Sequence, residues 1–414
     1  MRLSSASAAG PSEPAADWAE SGVVAVTGHA DGPVLVPPGR AATRARELSS
    51  WIGSVGGQKI ALDGARLLAE RAALNHLRRR GTVSAGGKCR LLRTADGWAA
   101  VSCARPDDPA LLGALIGAAI DAENPWPPVT DWVGRHAGAE LAERAELLGV
   151  AAAPILRPVR PAVPEPHAPR PVEGLLVVDF SALWAGPLCA HLLGSAGARV
   201  VKVETPNRPD GARRGNPDFY ALLHHGHESV VLDPTDPAGR RALLALVDAA
   251  DIVIEGSRPR ALAQFGIDAD AAVARGACWI SITAAGRRSS RIGFGDDIAA
   301  AAGLVAYDST GAPVFAGDAI ADPLTGITAA ALAMSVPPGG GGMLWDISMT
   351  DVVAATLTPE PVPATLRRGD TWYIDTRTGP VPVRDPTPRI PAGSAADSGA
   401  DTARVLASLQ IPAP

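Results

Sequence analysis

The chain has 414 residues, 47% of them hydrophobic and 4% aromatic, and a formal net charge of -5. That length suffices for a sizeable core and two or three domains, and with no basic field and no Lys/Arg stripe interleaved with aromatics, nucleic-acid binding is not expected. Cys89, Cys103, Cys189 and Cys278 lie too far apart for a C-x-x-C pair, so neither a zinc site nor a disulfide framework is predicted. An apolar run of about 18 residues is missing, and Met1 to Pro14 lacks the apolar core of a signal peptide; a cytoplasmic protein with no membrane contact is the expectation.

The first elements in chain order hint at a duplication. Asp17 to Ala25 followed by Gly32-Pro33-Val34-Leu35 echoes Asp297 to Ala306 followed by Ala312-Pro313-Val314-Phe315, at a separation near 280 residues. In that register Ala42 stands where the second copy has Asp322. Arg157 to Pro171 is rich in proline and reads as a linker. Strand and helix signals alternate beyond it. Strands are predicted at Leu175 to Phe180, Val200 to Val203, Val230 to Leu232, Ile252 to Ile254 and Trp279 to Thr283, and helices at Pro187 to Ser195 and Gly239 to Ala249. That rhythm argues for a doubly wound parallel sheet with ligands at the carboxyl ends of its strands. The small-residue turn Ala185-Gly186-Pro187 opens a helix at the first such end, where a phosphate can approach the backbone or the chain merely turns tightly.

Asp322 is the residue with most chemistry to offer. It lies in Gly317-Asp318-Ala319-Ile320-Ala321-Asp322-Pro323, just before the helix-forming run Ile327 to Met334. An Asp there is ordinarily an N-cap, whereas a carboxylate without that duty can attack an activated acyl group. His224, His225, His227 and Glu228 invite a metal reading, but ligands so tightly spaced do not converge, and no metal is expected.

Gly174 to Pro187, Leu193 to Glu204, the Asp322-Pro323 loop and Leu344 to Asp351, in this order, resemble the class III coenzyme A-transferase family, the formyl-CoA and carnitine-CoA transferase type. The resemblance spans about 170 to 355. Arg93 to Val101 and Leu141 to Ile155 are similar to parts of the family's smaller domain, and Arg389 to Gly393 with Gly399 to Leu409 to its closing tail. It implies an α/β fold: a doubly wound, Rossmann-like parallel-sheet large domain with a smaller α+β domain. The expected divisions are a partial copy at 1–160 holding the smaller domain at about 80–155, a Pro-rich linker at 161–173, a CoA-binding large domain at 174–355, and a return segment and tail at 356–414.

The same resemblance implies CoA transfer between an acyl-CoA and a carboxylic acid, with Asp322 as nucleophile, no cofactor beyond CoA as substrate, and a homodimer. CoA would be held by Gly186, Pro187, Lys202, Arg213, His225, His227, Arg258 and Arg260, with the histidines replacing more basic residues usual in the family. Gly286, Gly295, Gly317 and Gly326 would form the oxyanion or acyl pocket. Two other readings stay open: a catalytically degenerate CoA-binding scaffold, and a 2-methylacyl-CoA racemase. Against the racemase, Asp296 stands where racemases carry a histidine, and it needs a strongly raised pKa to play that part. A further possibility is that the first half is a partner-binding module.

Overall fold

The computed structural model describes residues 13–56, 62–156, 161–256, 259–337 and 339–414, with the backbone alone at Pro259 and Arg260. Pro14 opens helix α1 (Pro14–Glu20), at a position where its missing N–H leaves no bond unmade. Gly28 and Val34 bridge antiparallel before helix α2 (Ala41–Val55), whose Ala41, Ala42, Ala45, Leu48 and Ile52 recur at helical spacing as its buried face. Short helices α3 (Gly64–Leu67) and α4 (Glu70–Leu74) follow. The smaller domain then forms: β1 (Cys89–Arg93), β2 (Trp98–Ser102), helices α5 (Asp108–Ile116), α6 (Trp126–Arg135) and α7 (Gly138–Leu148), and β3 (Ala152–Pro154), the three strands antiparallel. Val101, Leu112, Val133 and Leu141 give it a core of its own. The proline-rich stretch is more than a tether, since β4 (Ala168–Pro169) pairs with Ser335–Val336.

From here strands and helices alternate: β5 (Leu176–Asp179), α8 (Ala185–Ser195), β6 (Arg199–Glu204), α9 (Pro217–His224), β7 (Glu228–Val231), α10 (Pro237–Asp248), β8 (Ile252–Glu255), α11 (Pro259–Ala263), α12 (Ala269–Ala274) and β9 (Cys278–Thr283). Next come α13 (Gly295–Ala301), the hairpin β10 (Val305–Tyr307) and β11 (Pro313–Phe315), α14 (Ala321–Ala333), β12 (Ser335–Val336), β13 (Met343–Ser348) and α15 (Met349–Ala354). Six strands form one sheet in the order β13-β9-β8-β5-β6-β7, every neighbouring pair parallel. Side-chain alternation sends Val177, Ile254, Ile280 and Ile347 to one face, in a core with α8 and α14, and Val178, Val201, Val253 and Trp279 to the other, with α10 and α12. A sheet covered on both faces is the setting in which parallel strands are stable, so the predicted doubly wound α/β class holds. The predicted strands all form; β13, a sixth, was not among them.

The tail adds a meander, β14 (Thr365–Arg368), β15 (Thr371–Ile374) and β16 (Val381–Pro382), and helix α16 (Thr402–Ser408). Val405 and Leu406 of α16 join the core below β7, while Asp401 and Thr402 accept the amides of Ser229 and Val231 at 2.8 and 3.0 Å.

Among the contacts that bind the halves of the chain, two are large. Helix α2 packs on α14, merging Leu48 and Ile52 with Leu324 and Ile327 in one core. The smaller domain rests on α13 through Cys89, Leu91 and Ala100 against Ala300, Val305 and Phe315. The order helix, antiparallel pair, helix thus occurs twice, as α1 to α2 and as α13 to α14, and the second helices of the two sets touch.

Gly326 lies inside α14 where it crosses α8: a Cβ there would sit 2.6 Å from the Ala185 carbonyl oxygen and 3.0 Å from the Leu188 Cβ. Its absence of a side chain lets the helices meet, a packing duty in place of the expected acyl-pocket role. Gly326→Ala is expected to lower stability by about 1–3 kcal/mol, read as a shifted midpoint in chemical unfolding.

Candidate active site

Asp322 is the second residue of α14, and one turn later Gly326 meets Ala185, the first residue of α8. Because α8 follows β5, this places Asp322 at the carboxyl end of the sheet, where open α/β folds bind ligands. It is not an N-cap. That position belongs to Ile320, no side chain caps the helix, and no hydrogen bond to the Asp322 carboxylate occurs among the described residues. Gly295 presses on it so closely that a Cβ there would overlap Asp322 Oδ2 and the Ala319 carbonyl.

Four carboxylates gather here. Asp296 Oδ1 accepts the Ala319 amide at 2.7 Å, and Asp297 Oδ1 accepts the Phe294 amide at 2.9 Å and the Ser102 hydroxyl at 2.8 Å, the last from the smaller domain. Asp318, wholly buried, takes a two-pronged contact from Arg71 of α4: Nε to Oδ2 at 2.9 Å and Nη2 to Oδ1 at 2.5 Å. Burial drives Asp322 up to about 7, helped by Asp296, Asp318 and Asp297 and opposed by Arg71. Burial likewise lifts Asp296 and Asp297 to about 6 each, Asp318 adding to the first. Arg71, despite burial, stays charged because Asp318, Asp296 and Asp322 surround it. Sequence reasoning missed Arg71 and Asp318 as site residues. Asp318 carried a signal, since it precedes Asp322 by four residues in the same loop; Arg71, 247 residues from Asp318, carried none.

Of the expected pocket glycines, Gly295 alone abuts Asp322. Gly317, at φ 66°, gives its amide to Thr27 Oγ1 at 2.9 Å, so that N–H is already spent and does not serve an oxyanion. Gly286 turns at φ 86° beside Asp346, the one residue a Cβ there would touch.

The expected CoA contacts divide. Gly186 and Pro187 lie in the buried first turn of α8, where a Cβ on Gly186 would collide with Ser181. Lys202 is not a phosphate ligand: it is 2% exposed, reaches Asp210 at 3.1 Å and Asp179 at 3.5 Å, and bonds the Ser181 carbonyl. Burial opposes its charge, yet those carboxylates hold the proton. Arg213 is likewise committed, paired with Glu204 at 2.6 Å and set over the Tyr220 ring. His227 is buried, and burial drops it to about 3, so it is a neutral ring and not a cation for phosphate. His225, half-buried, holds Nδ1 3.0 Å from the Ala221 carbonyl and meets His191 edge-on. Arg258 and the side chain of Arg260 fall outside the described residues. The described residues contain no His, Cys, Asp and Glu group able to hold a metal ion, and no helix long and apolar enough to cross a membrane.

A cavity of about 710 Å³ is lined by Trp18, Pro37, Gly39, Arg40, Val362 and Arg377 among others, none of them a residue of the Asp322 cluster. Gly39 and Arg40 occupy the repeat positions of Ala319 and Ile320.

Comparison with known proteins places this geometry in context. The model of CoA-transferase family III matches residues 172–378, half of the chain. A succinate–glutarate CoA-transferase of Agrobacterium fabrum is 30% identical over 217 residues, 46% of this chain and 54% of that protein. A formyl-CoA:oxalate CoA-transferase of Rhodopseudomonas palustris is 32% identical over 106 residues, 24% and 25% of the two chains. The chain therefore spans about half the length of the first of these relatives or less. A CaiB/BaiF family protein of Brucella suis, 25% identical, superposes with a TM-score of 0.44 over 50% of this chain and 66% of that one.

The buried imidazoles set an acid limit on stability. His227, and His191 and His224 beside it, are neutral when folded because burial lowers them, whereas the unfolded chain takes up protons near pH 6.5. Stability is full above about 6.5 and falls as pH drops toward about 3, by a few kcal/mol for His227. Urea unfolding of the parent and of His227→Gln at pH 8, 6 and 5 is expected to show a shallower acid loss in the variant.

Proposed function

Because the chain belongs to CoA-transferase family III, we propose that it moves coenzyme A from an acyl-CoA to a carboxylic acid, with Asp322 as the nucleophile. The observation that carries this reading is a carboxylate at the carboxyl end of the sheet that caps no helix and accepts no hydrogen bond among the described residues. In this reaction an Asp322 oxygen attacks the thioester carbonyl, the C–S bond breaks, and a mixed anhydride and CoA thiolate result. The thiolate then attacks the aspartyl carbonyl, freeing the donor's carboxylate and leaving an aspartyl-CoA thioester. The acceptor carboxylate attacks that thioester, and the returning thiolate takes the new acyl group and restores Asp322. The acids in the relatives' names, succinate, glutarate and oxalate, favour a small carboxylic acid as acceptor. We read the N-terminal half as a partial copy of the same unit whose smaller domain covers the site from α13, with Ala42 in the place of the nucleophile.

A second reading has one specific observation behind it. Asp296 and Asp322 are raised to about 6 and about 7 by burial, which removes the objection that a carboxyl at 296 cannot exchange a proton near neutrality. Two such groups suit proton exchange at the carbon next to the thioester carbonyl, as a racemase requires.

Asp322→Ala is expected to reduce transfer by about 10³-fold or more with an unchanged circular-dichroism spectrum; a variant that keeps most of its turnover removes the assignment. Since only the ionised carboxylate attacks and its folded pKa is raised, single-turnover CoA release in the parent should climb with pH through a midpoint near 7. Transfer is recognised by hydroxylamine trapping of an Asp322 adduct on the intact chain, and proton exchange by deuterium uptake into the acyl group in D2O without any adduct.

A further inference from the structure

Arg71 belongs to the half of the chain that has no nucleophile, yet its guanidinium ends in the site of the other half. Its backbone is fixed from two directions. Asn216 donates from Nδ2 to the Leu74 carbonyl at 2.9 Å, and the neighbouring Glu70 accepts Arg389, which in turn meets His191 of α8 at 2.6 Å. The guanidinium lies 5.5 Å from the centre of the Trp184 ring, directly before α8, and grips both oxygens of Asp318. A planar fork on a carboxylate fixes orientation as well as charge. The Asp318 side chain has no other hydrogen-bond partner among the described residues, so Arg71 holds the turn from Gly317 to Asp322 through that carboxylate, as Thr27 holds it at the Gly317 amide and Asp296 at the Ala319 amide.

We propose that Arg71 is a positioning residue for Asp322: it anchors the preceding turn through Asp318 and supplies the positive charge that lets Asp322 act as an anion among its acidic neighbours. The N-terminal half thereby completes a site that the nucleophile-bearing half does not furnish alone. This rests on Asp322 being the reactive group. The charged groups acting on Asp322 are Arg71 from α4, Asp296 and Asp297 from α13, and Asp318 from its own loop. Arg71 is the one that favours ionisation; the three carboxylates oppose it, after burial itself. Because the members of the Arg71–Asp318 pair act on Asp322 with opposite sign, removing either one has opposite consequences, which a purely structural salt bridge does not predict.

The test is a titration of Asp322 in the full chain, by carbon NMR of 13C-labelled aspartate with Asp322→Asn to assign the signal, in the parent, Arg71→Met, Arg71→Lys and Asp318→Asn. Arg71→Met is expected to raise the Asp322 midpoint by about one unit or more, Asp318→Asn to lower it, and Arg71→Lys to stay near the parent while losing the two-pronged grip. Single-turnover CoA release should follow the same midpoints. If Arg71→Met fails to fold, Asp318→Asn and Arg71→Lys still decide the question. Midpoints within about 0.3 unit of the parent in every variant, or shifts of the same sign for both members of the pair, overturn the proposal. A parent with no turnover whose Asp322 nonetheless shifts as described overturns the transferase reading and leaves the electrostatic assignment standing.

Discussion

A carboxylate removed wholly from water must be neutralised or paired, and Asp318 is paired across 247 residues of sequence with Arg71. That one requirement joins the two halves at the point where chemistry is proposed. It needs α4 beside the start of α14, which needs α2 packed on α14, which in turn uses the small residues Ala41, Ala42 and Ala45 on the buried face of α2. Removing Arg71 leaves the Asp318 charge in a low-dielectric site, a loss well above that of a surface ion pair.

The two helix–pair–helix units differ in what their second helices carry at matching positions. Ala42 is as buried as the best core residues, and its side chain adds only a methyl group to the helix face. Asp322, at the matching position, keeps a carboxylate partly open to solvent and crowded by three more. The two helices pack on each other, and of these two positions only 322 carries an ionisable group.

Much of the fold was legible because it rests on local patterns. The apolar runs of β5, β6, β8 and β9 and the small-residue opening of α8 are strong signals of buried parallel strands and a tight helix start. β13 was passed over because Leu344-Trp345-Asp346-Ile347 reads first as a motif, with an acid interrupting the run. Burial was the property that sequence did not convey. Lys202 inside β6 and His227 just before β7 are polar residues on the sheet, which suggests ligand contact, but the first neutralises Asp179 and Asp210 inside the fold and the second is stripped of its charge by burial. Arg71 was missed for the converse reason: an arginine among Arg66, Arg78, Arg79 and Arg80 looks like a solvated helix face until tertiary packing selects it.

The crowding that makes Asp322 interesting also works against the folded state. A carboxyl raised to about 7 when folded and near 4 when unfolded contributes stability below pH 4 that is lost as pH rises through 7, so the ionised form that the proposed reaction uses is the one the fold disfavours. Arg71 offsets part of that cost, while Asp296, Asp297 and Asp318 add to it. An ionised Asp322 in this setting is only partly solvated and has no hydrogen-bond partner among the described residues, and a carboxylate in that condition has more to gain by forming a covalent bond than one satisfied by an N-cap. Unfavourable charge of this kind, offset by the α2–α14 and α8–α14 packing, is what the role proposed for Asp322 draws on.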